Sequence, residues 1–344
     1  MKRIVALLLI LCLLLPAAAL AEDRLPKMKF PAANYVGYLD TDFAVVMEVS
    51  NAGNFSGTKT LELRDQTGRV WASRDYKVGQ KINFKTPLDE SFLGGHDLAV
   101  WCGDTQVSLN TAYVAVADKH RKAVAIPGTN VDTPNPWMSI TLDCCYTEPH
   151  TDEILAVLDK YNVKATFFMA GEFVLTFPET AKKIRDAGHE IGAHSLSHPH
   201  LLTYHLHMRF KQVRRNVEII RQELGVNPRL FRPPFGEFDI TISAPARAEG
   251  MEMVLWSIDS HDWDWNFARN PENVIKRVTK NVGPGTIILF HLDGWNTTEV
   301  LDRMIPYYQN ELGLTLVPVS QLITSAGIEI PPLPDNALPE ENAL

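Results

Sequence analysis

The chain has 344 residues, of which 45% are hydrophobic and 22% are charged. This composition excludes an intrinsically disordered chain, and the length predicts about two domains of ~150 residues each. The formal net charge is −8, which lacks the excess of basic residues that nucleic-acid binding requires. The four cysteines are too few for a disulfide-rich scaffold, although two of them, Cys144 and Cys145, are adjacent.

Residues 1–21 have the pattern of a secretory signal peptide. Lys2 and Arg3 precede an apolar run at residues 4–15, and small residues precede the expected cleavage site after Ala21. The run is shorter than the ~20 apolar residues of a spanning helix. We therefore expect cleavage and an extracytoplasmic protein, secreted or held in the cell envelope, with no stable membrane span. The alternative is an uncleaved anchor that extends to Ala21.

Residues 28–118 alternate apolar and polar positions in short segments, as at residues 43–49 and 81–84. This period of two predicts β-strands, and turn signals such as Gly94-Gly95 separate them. We therefore predict an all-β, immunoglobulin-like sandwich domain. Cys102 is the only cysteine in this region, so the usual cysteine pair between the two sheets is absent. Residues 119–137, which contain several prolines, are typical of a linker.

From residue 138 onward, apolar strand-like segments alternate with amphipathic helical segments. The predicted strands are residues 138–143, 164–169, 190–194, 229–232, 253–258, 286–291 and 314–319. The predicted helices are residues 152–161, 178–187, 208–224, 240–249, 271–281 and 298–312. Such alternation indicates an α/β domain at residues 138–328 with a parallel sheet, and the strand number suits a small or distorted barrel. The proline-rich, acidic residues 329–344 are predicted to be a disordered tail.

Polar residues follow the predicted strands, at the end where α/β barrels place their reactive groups. They are Asp143, His194, Arg232, Asp259 and His291. Carboxylate, imidazole and guanidinium groups are those that hydrolytic chemistry uses for proton transfer and charge stabilisation. The coincidence of all five at strand ends therefore predicts a hydrolytic site.

Two local motifs support this prediction. His194 and His198 are four residues apart, a spacing that places two imidazoles on one face of a helical turn and suits a metal ion. The alternative is a polar helix start with unrelated histidines, but this pair follows a buried strand. Arg232-Pro-Pro-Phe-Gly236 ends another strand with a rigid turn, whose backbone N–H groups could stabilise an oxyanion. The alternative for that motif is an ordinary strand-ending loop.

Taken in order, five motifs resemble those of the polysaccharide deacetylases of carbohydrate esterase family 4, also called the NodB homology domain. The motifs are Thr141-Leu-Asp143, His194-x3-His198, Arg232-Pro-Pro-Phe-Gly236, Asp259-x2-Asp262-Trp263 and Leu289-x-His291. The resemblance covers residues 138–323. It implies a distorted (β/α)7 barrel that removes acetyl groups from a sugar with a divalent metal, usually zinc.

The resemblance also implies roles for the reacting groups. His194 and His198 would hold the metal ion. Asp143 would take a proton from the attacking water, and Arg232 would keep this carboxylate ionised and oriented. His291 would protonate the departing amine.

The remaining motif residues would orient the acid and shape the substrate site. Asp262 would orient His291 and raise its pKa by its negative charge. The backbone N–H of Phe235 would help to stabilise the oxyanion. Trp263 and Leu289 would form apolar walls around the acetyl methyl group.

One motif position departs from the family, which usually has two successive aspartates at the end of the first strand. The second position is Cys144 here. Because thiolate is a good zinc ligand, we predict that Cys144 is the third ligand and that it favours zinc over harder metals. One alternative is a bystander role, with Asp143 or water completing the coordination. Another is a disulfide from Cys144 or Cys145 to Cys102, or a vicinal bridge, because thiols outside the cytoplasm tend to oxidise.

The expected function is that of a secreted, metal-dependent de-N-acetylase acting on N-acetylglucosamine or N-acetylmuramic acid units of cell-wall glycan. Its partner would be acetylated peptidoglycan or chitin-like oligomers, and not a nucleic acid. One alternative is an O-acetyl xylan esterase, because an ester and an amide need the same oxyanion site. Another is a glycan-binding protein that has lost catalysis through the change at Cys144. The complete proton-transfer set argues against this, since binding alone does not require it.

Overall fold

The computed structural model describes residues 23–339. The predicted signal peptide lies outside these residues, so its cleavage stays a prediction. The described chain divides into two compact units, and the first contains residues 23–31, 44–86 and 97–112. The second unit contains residues 32–43, 87–96 and 113–339. Within residues 23–339, no helix combines the length and the apolar character needed to cross a membrane.

The chain before residue 118 is built mainly from short strands. They are β1 (Lys27–Lys29), β2 (Asn34–Tyr38), β3 (Asp42–Val46), β4 (Glu48–Asn51), β5 (Lys59–Arg64), β6 (Val70–Tyr76), β7 (Asn83–Pro87), β8 (Gly94–Cys102), β9 (Thr105–Gln106) and β10 (Ala112–Ala117). In the first unit, β5 pairs antiparallel with both β6 and β8. Leu61 and Leu63 of β5 are buried and their neighbours are not, as the period of two predicts. The immunoglobulin-like topology stays a prediction, and the range 28–118 coincides with neither compact unit.

Strands and helices alternate in the second unit after residue 136, which confirms the predicted α/β organisation. The strands are β11 (Trp137–Cys144), β12 (Thr166–Met169), β13 (Glu190–Ala193), β14 (Leu230–Phe231), β15 (Glu252–Met253), β16 (Ile258–Asp259), β17 (Ile287–His291) and β18 (Thr315–Leu316). The helices are α1 (Thr151–Lys160), α2 (Gly171–Thr176), α3 (Pro178–Asp186), α4 (Leu206–Leu224), α5 (Ile240–Ala248), α6 (Trp265–Ala268), α7 (Pro271–Val278), α8 (Thr297–Pro306) and α9 (Val319–Ser325).

Helix α4 shows how the sequence pattern produces this layer of helices. Val213, Val217, Ile220 and Leu224 are buried, and their spacing of three or four residues places them on one face of the helix. Gly225 follows with a left-handed φ of +66°. Glycine adopts this conformation without steric cost, which ends the helix.

The strands of the second unit form a parallel sheet in the order β15-β14-β13-β12-β11-β17-β16, with β18 beside β11. The predicted strand at residues 253–258 is divided into β15 and β16, which lie at opposite ends of this order. Only residues 254–257 connect them, and such a connection spans at most about 18 Å. The sheet must therefore curl until its ends approach each other. The result is an open, distorted barrel, whose strands β11, β13, β14 and β17 lead into the predicted motifs.

The segments predicted to be a linker and a tail are held by hydrogen bonds to their backbone groups within the second unit, and the side-chain amide of Asn227 holds the tail. The N–H of Val124 donates to the Met253 carbonyl at 2.8 Å. Asn227 donates to the Leu338 carbonyl at 2.9 Å and accepts from the Leu338 N–H at 3.0 Å. Up to residue 339, the tail therefore differs from the disordered segment that its composition predicts.

Candidate active site

The carboxyl ends of β11 and β17 bring predicted site residues side by side. These strands are parallel neighbours, and their register places Asp143 opposite His291 and Thr141 opposite Leu289. Because side chains alternate along a strand, all four share one face of the sheet. The intervening Leu142 belongs instead to the apolar core. The alternation therefore directs the polar residues of both strands toward one site.

Arg232 is completely buried, and its guanidinium forms an ion pair with Asp143. Its Nη1 donates to Asp143 Oδ1 at 2.7 Å and to Thr141 Oγ1 at 2.9 Å, while Nη2 donates to the Leu255 carbonyl at 2.9 Å. The guanidinium also lies 4.0 Å from the centroid of the Phe168 ring. Burial alone would raise the pKa of Asp143, but the positive charge of Arg232 reverses this and lowers it. The carboxylate is therefore ionised at neutral pH and can act as a base.

Three side chains beyond the ends of β11 and β13 form what we call the metal cluster: Cys145, His194 and His198. The Sγ atom of Cys145 and one ring nitrogen of each histidine all lie within 4.8 Å of one another. One cysteine and two histidines are a donor set that suits zinc, and three protein ligands leave a position for water or substrate. The structure therefore brings the two predicted histidines together with a thiol.

That thiol is not the predicted one. Cys144 is fully buried in the apolar core, and its Sγ lies 3.8 Å from the Leu142 carbonyl. Along β11, Asp143 faces the site, and Cys144, the last residue of the strand, faces the core. Cys145 directly follows the strand, and its thiol lies in the metal cluster. The structure therefore places Cys145, and not the predicted Cys144, with the two histidines that could hold a metal ion. The described cysteines, including Cys102, are all free thiols, so the structure contains neither of the disulfides considered.

The hydrogen bonds of His194 determine which nitrogen faces the cluster. Nδ1 donates to the Arg232 carbonyl at 2.7 Å, so Nε2 carries a lone pair. Nε2 is buried without a hydrogen-bond partner in the described structure and lies 3.3 Å from Asp143 Oδ2. Burial lowers the pKa of His194, so the ring is neutral and its lone pair faces a carboxylate oxygen. A cation relieves this repulsion, and these residues therefore fit a metal ion.

His198 is held by a tyrosine that the motif pattern does not include. His198 has a left-handed φ of +53°, and its ring centroid lies 4.9 Å from that of His194. The hydroxyl of Tyr146 lies 2.8 Å from His198 Nδ1. Burial lowers the pKa of His198 to about 3, so the ring is neutral. When Nδ1 carries the proton and donates it to the Tyr146 oxygen, Nε2 has the lone pair that a ligand atom needs. Tyr146 therefore orients the His198 ring from the exposed rim of the site.

The thiol of Cys145 lies among negative charges. Burial raises its pKa, and Asp143 and Asp293 raise it further. The thiol is therefore protonated without a cation, whereas a coordinated divalent ion would ionise it. Sequence reasoning also missed Asp293. Its one sequence signal is its position two residues after His291, beyond the end of β17.

Asp262 holds the predicted acid, His291. Its Oδ1 accepts from His291 Nδ1 at 2.8 Å, and its Oδ2 accepts from the His291 backbone N–H at 2.8 Å and from the Thr297 hydroxyl at 2.6 Å. Burial alone would lower the pKa of His291, but the negative charge of Asp262 outweighs it and raises the pKa to about 9. With Nδ1 engaged, Nε2 carries the proton that can be donated.

The three residues predicted to contact substrate have different surroundings. Phe235 is half exposed with a left-handed φ of +59°, and its ring centroid lies 4.7 Å from that of His198. Leu289 is buried on the face of β17 that carries His291. Trp263 is 53% exposed. Phe235 and Leu289 therefore border the site, and Trp263 directly follows Asp262 at the surface.

Comparisons with known proteins agree with this geometry. A family model described as polysaccharide deacetylase matches residues 130–254. The peptidoglycan-N-acetylmuramic acid deacetylase PdaC of Bacillus subtilis is 32% identical over 205 residues, which are 59% of this chain and 42% of that protein. The peptidoglycan-N-acetylglucosamine deacetylase PgdA of Listeria monocytogenes is 27% identical over 288 residues, which are 83% of this chain and 58% of that protein. The chain therefore spans about half the length of these relatives.

Solved structures extend the comparison. The structure of PdaC is 31% identical, matches 57% of this chain and 94% of its own, and has a TM-score of 0.51. A pseudoenzyme of carbohydrate esterase family 4 from Bacillus anthracis is 28% identical, matches 63% of this chain and 73% of its own, and has a TM-score of 0.54. A protein named as a deacetylase and a protein named as a pseudoenzyme are thus both among the structures that this chain is similar to.

Proposed function

Because this chain belongs to the polysaccharide deacetylase family, we propose that it hydrolyses N-acetyl groups on peptidoglycan sugars with a bound divalent metal ion. One observation carries this proposal: two proton-transfer pairs, Asp143–Arg232 and His291–Asp262, meet across neighbouring strands beside the metal cluster. Amide hydrolysis needs both a base for the water and an acid for the amine, and this arrangement supplies each from a separate residue.

The metal cluster would hold the ion through two neutral imidazoles and one thiolate. When bound, a divalent cation would polarise the acetyl carbonyl and lower the pKa of a water molecule. Thiolate and imidazole ligands favour zinc over magnesium or manganese. We therefore propose zinc as the metal.

The residues of the chain carry the proton transfers. Asp143 accepts a proton from the attacking water, because Arg232 keeps the carboxylate ionised and in place. His291 donates its Nε2 proton to the departing nitrogen, because the raised pKa keeps the imidazole protonated at neutral pH. Each turnover therefore leaves Asp143 with one added proton and His291 with one fewer, and exchange with solvent restores both.

The proposed acetyl site lies at the exposed side of these groups. The backbone N–H of Phe235 donates to the developing oxyanion, as preorganised backbone donors do in other hydrolytic sites. Leu289 and Trp263 provide apolar surface for the methyl group. These roles agree with the placement of Phe235 beside His198 and of Leu289 beside His291.

Matched substitutions at the two adjacent cysteines test the metal site. Structural zinc binding of ~10–16 kcal/mol shared among four ligands gives ~3 kcal/mol per ligand, so Cys145→Ala should weaken zinc binding by roughly 10²-fold. Cys144→Ala, the matched control, should retain zinc because its thiol faces the core. Metal content and competition with a chromophoric chelator measure both. If Cys145→Ala retained zinc and Cys144→Ala lost it, Cys144 would be the third ligand.

Parallel assays on three glycans test the reaction and the substrate. The names of the two relatives specify N-acetylmuramic acid and N-acetylglucosamine, and we propose one of these units as the substrate here. We expect acetate release and new amines from peptidoglycan, with mass spectrometry of the digested glycan identifying the sugar. Chitin oligomers and acetylated xylan serve as comparisons. Release from acetylated xylan alone would favour an O-acetyl esterase, and no release from any glycan would refute hydrolysis.

We further propose that the protein acts outside the cytoplasm, where peptidoglycan is located. The signal-peptide pattern of residues 1–21 supports this location. Mass spectrometry of protein recovered from the medium and the cell envelope should find an amino terminus at Glu22. A chain that retains Met1 in the envelope fraction would favour the uncleaved anchor.

One observation favours glycan binding without catalysis as a second candidate function. The Bacillus anthracis neighbour is described as a pseudoenzyme, and this chain has Cys144 where the family usually has aspartate. Protein that holds zinc under reducing conditions and binds peptidoglycan without releasing acetate would support this candidate. Acetate release by the same preparation, abolished in Asp143→Asn, would support the deacetylase.

A further inference from the structure

A groove beside the proposed active site contains two exposed tryptophans. It lies between α1, α6 and the start of α8 and has a volume of about 760 Å³, which is typical of small-ligand sites. Trp265 and Trp295 are 50% and 45% exposed. Their ring centroids lie 4.5 Å apart with the planes inclined by 60°. The two indoles therefore form an aromatic corner open to solvent, and exposed apolar surface of this kind marks binding sites.

Hydrogen bonds join this groove to the proposed general acid. The backbone N–H of Trp295 donates to the Asp262 carbonyl at 2.8 Å. Thr297 lines the groove and donates its hydroxyl to Asp262 Oδ2 at 2.6 Å. The other oxygen of the same carboxylate binds His291 Nδ1. The groove and the active site are therefore adjacent, because both contact Asp262.

The charges around the groove favour a neutral ligand. Lys160 forms an ion pair with Asp302 at 2.6 Å, and Glu299 forms one with Arg303 at 3.2 Å. The charged groups of the rim are thus already paired, which does not suit a polyanion such as a phosphate polymer. Uncharged donors and acceptors from Asn296 and Thr298 also line the groove.

The walls of the groove distinguish a sugar from an extended peptide. An extended peptide binds by adding a strand to a sheet edge, whereas α1 and α8 use their backbone groups within the helices. A pyranose ring has a C–H face that packs on an aromatic ring and hydroxyls that bond to uncharged polar groups. Trp265, Trp295 and the polar rim match that combination.

We propose that the Trp265–Trp295 groove binds an uncharged sugar, such as N-acetylglucosamine, of the same glycan strand whose acetyl group is hydrolysed at the metal cluster. This inference rests on the proposed deacetylase function and specifies its substrate as a chain of several sugars. Binding a second part of the strand lowers the KM for long substrates without any change in the reacting groups. The enzyme therefore prefers long glycan strands to a single disaccharide.

The test compares two peptide-free peptidoglycan substrates, long glycan strands and the isolated disaccharide. Trp265→Ala should lower the long-to-short ratio of kcat/KM by about three- to tenfold, mainly by raising KM for the long strands. Trp265→Phe should recover most of the ratio, because an aromatic face remains. Leu175→Ala, which removes an exposed side chain of α2 outside the groove, should leave the ratio unchanged. An unchanged ratio in Trp265→Ala would overturn the proposal.

A binding assay separates this proposal from the deacetylase function. Retention of the full-length protein on insoluble peptidoglycan is measured without added metal, so the result does not depend on turnover. Reduced retention of Trp265→Ala supports the groove even if no acetate is released from any glycan. Unchanged retention overturns it even if the protein is an active deacetylase. A change from dimer to monomer in sedimentation, with retention unchanged, would instead make the groove an interface between copies.

Discussion

Replacing Asp262 by asparagine should remove the proton that His291 donates. The carboxylate accepts three hydrogen bonds of 2.6–2.8 Å, and asparagine keeps its size but loses its charge. The pKa of His291 is raised from 6.5 to about 9. Since one pKa unit is ~1.36 kcal/mol, this difference corresponds to roughly 3 kcal/mol of preferential stabilisation of the imidazolium.

The structure gives the size of the expected loss. Burial of His291 lowers its pKa and Asp262 opposes this, so we expect a pKa near the ordinary value, or lower, in the variant. At about pH 7.5 the protonated fraction then falls from roughly 97% to roughly 10%, which reduces kcat about tenfold through population alone. Misorientation of the ring adds to this, up to the ~10²–10⁴-fold that general acid catalysis supplies.

The pH dependence of acetate release from peptidoglycan measures this effect. In the parent, kcat should decrease above about pH 9, where His291 loses its proton. In Asp262→Asn the decrease in kcat should begin at least two pH units lower, because the pKa of His291 loses about the whole rise from 6.5 to about 9. Asp259→Asn is the control, because Asp259 has only a weaker influence on His291 and the decrease should remain close to that of the parent. An unchanged alkaline limb in Asp262→Asn would show that Asp262 does not tune the acid.

Three further predictions concern the same groups. The pKa of His291 in the folded protein, about 9, exceeds the ordinary value of 6.5. Protonation of His291 therefore stabilises the fold fully below about pH 6.5, and this contribution is lost as the pH rises through about 9. Urea unfolding below pH 6.5 and above pH 9 should show a smaller difference in unfolding free energy between the two pH values in Asp262→Asn than in the parent. Gly294→Ala would place a Cβ 2.2 Å from Asp262 Oδ2, so thermal unfolding should show a loss of about 1–3 kcal/mol and the alkaline limb should move as in Asp262→Asn. Arg232→Met leaves Asp143 buried without its cation, so unfolding should show a loss of about 3–5 kcal/mol and the acidic limb of kcat should move to higher pH.

Strand alternation explains both a success and a failure of sequence reasoning. Asp143 and His291 can be assigned from sequence because each ends a strand of a parallel sheet, and such ends converge at one edge. Comparison of adjacent motif positions selects Cys144, but Cys144 is the last residue of β11 and alternates with Asp143, so its side chain faces the core. The thiol beside the two histidines is that of Cys145, the first residue beyond the strand. The alternation of side chains along the strand therefore excludes the residue that the motif order selects.

Other features depend on distances that the sequence pattern does not contain. The apolar run at residues 253–258 has no glycine or proline to mark its division, and the division into β15 and β16 follows from closing the barrel. Tyr146 reaches His198 across a sequence separation of 52 residues. Loop residues of this kind have no periodicity, so their contacts depend on how neighbouring loops pack above the sheet.

A thiol ligand gives the metal site its negative charge at a different moment from a carboxylate ligand, because the thiol ionises only when the metal binds. An aspartate ligand is ionised before metal binds, whereas burial raises the pKa of the Cys145 thiol. His194 and His198 have lowered pKa values and contribute no proton near neutrality. Zinc binding should therefore release one proton, and the apparent association constant should rise about tenfold per pH unit between about pH 6 and 8. Cys145→Asp should bind with little pH dependence in this range. Chelator competition at several pH values measures both slopes, and equal slopes in the parent and Cys145→Asp would exclude Cys145 as the ligand that ionises on binding.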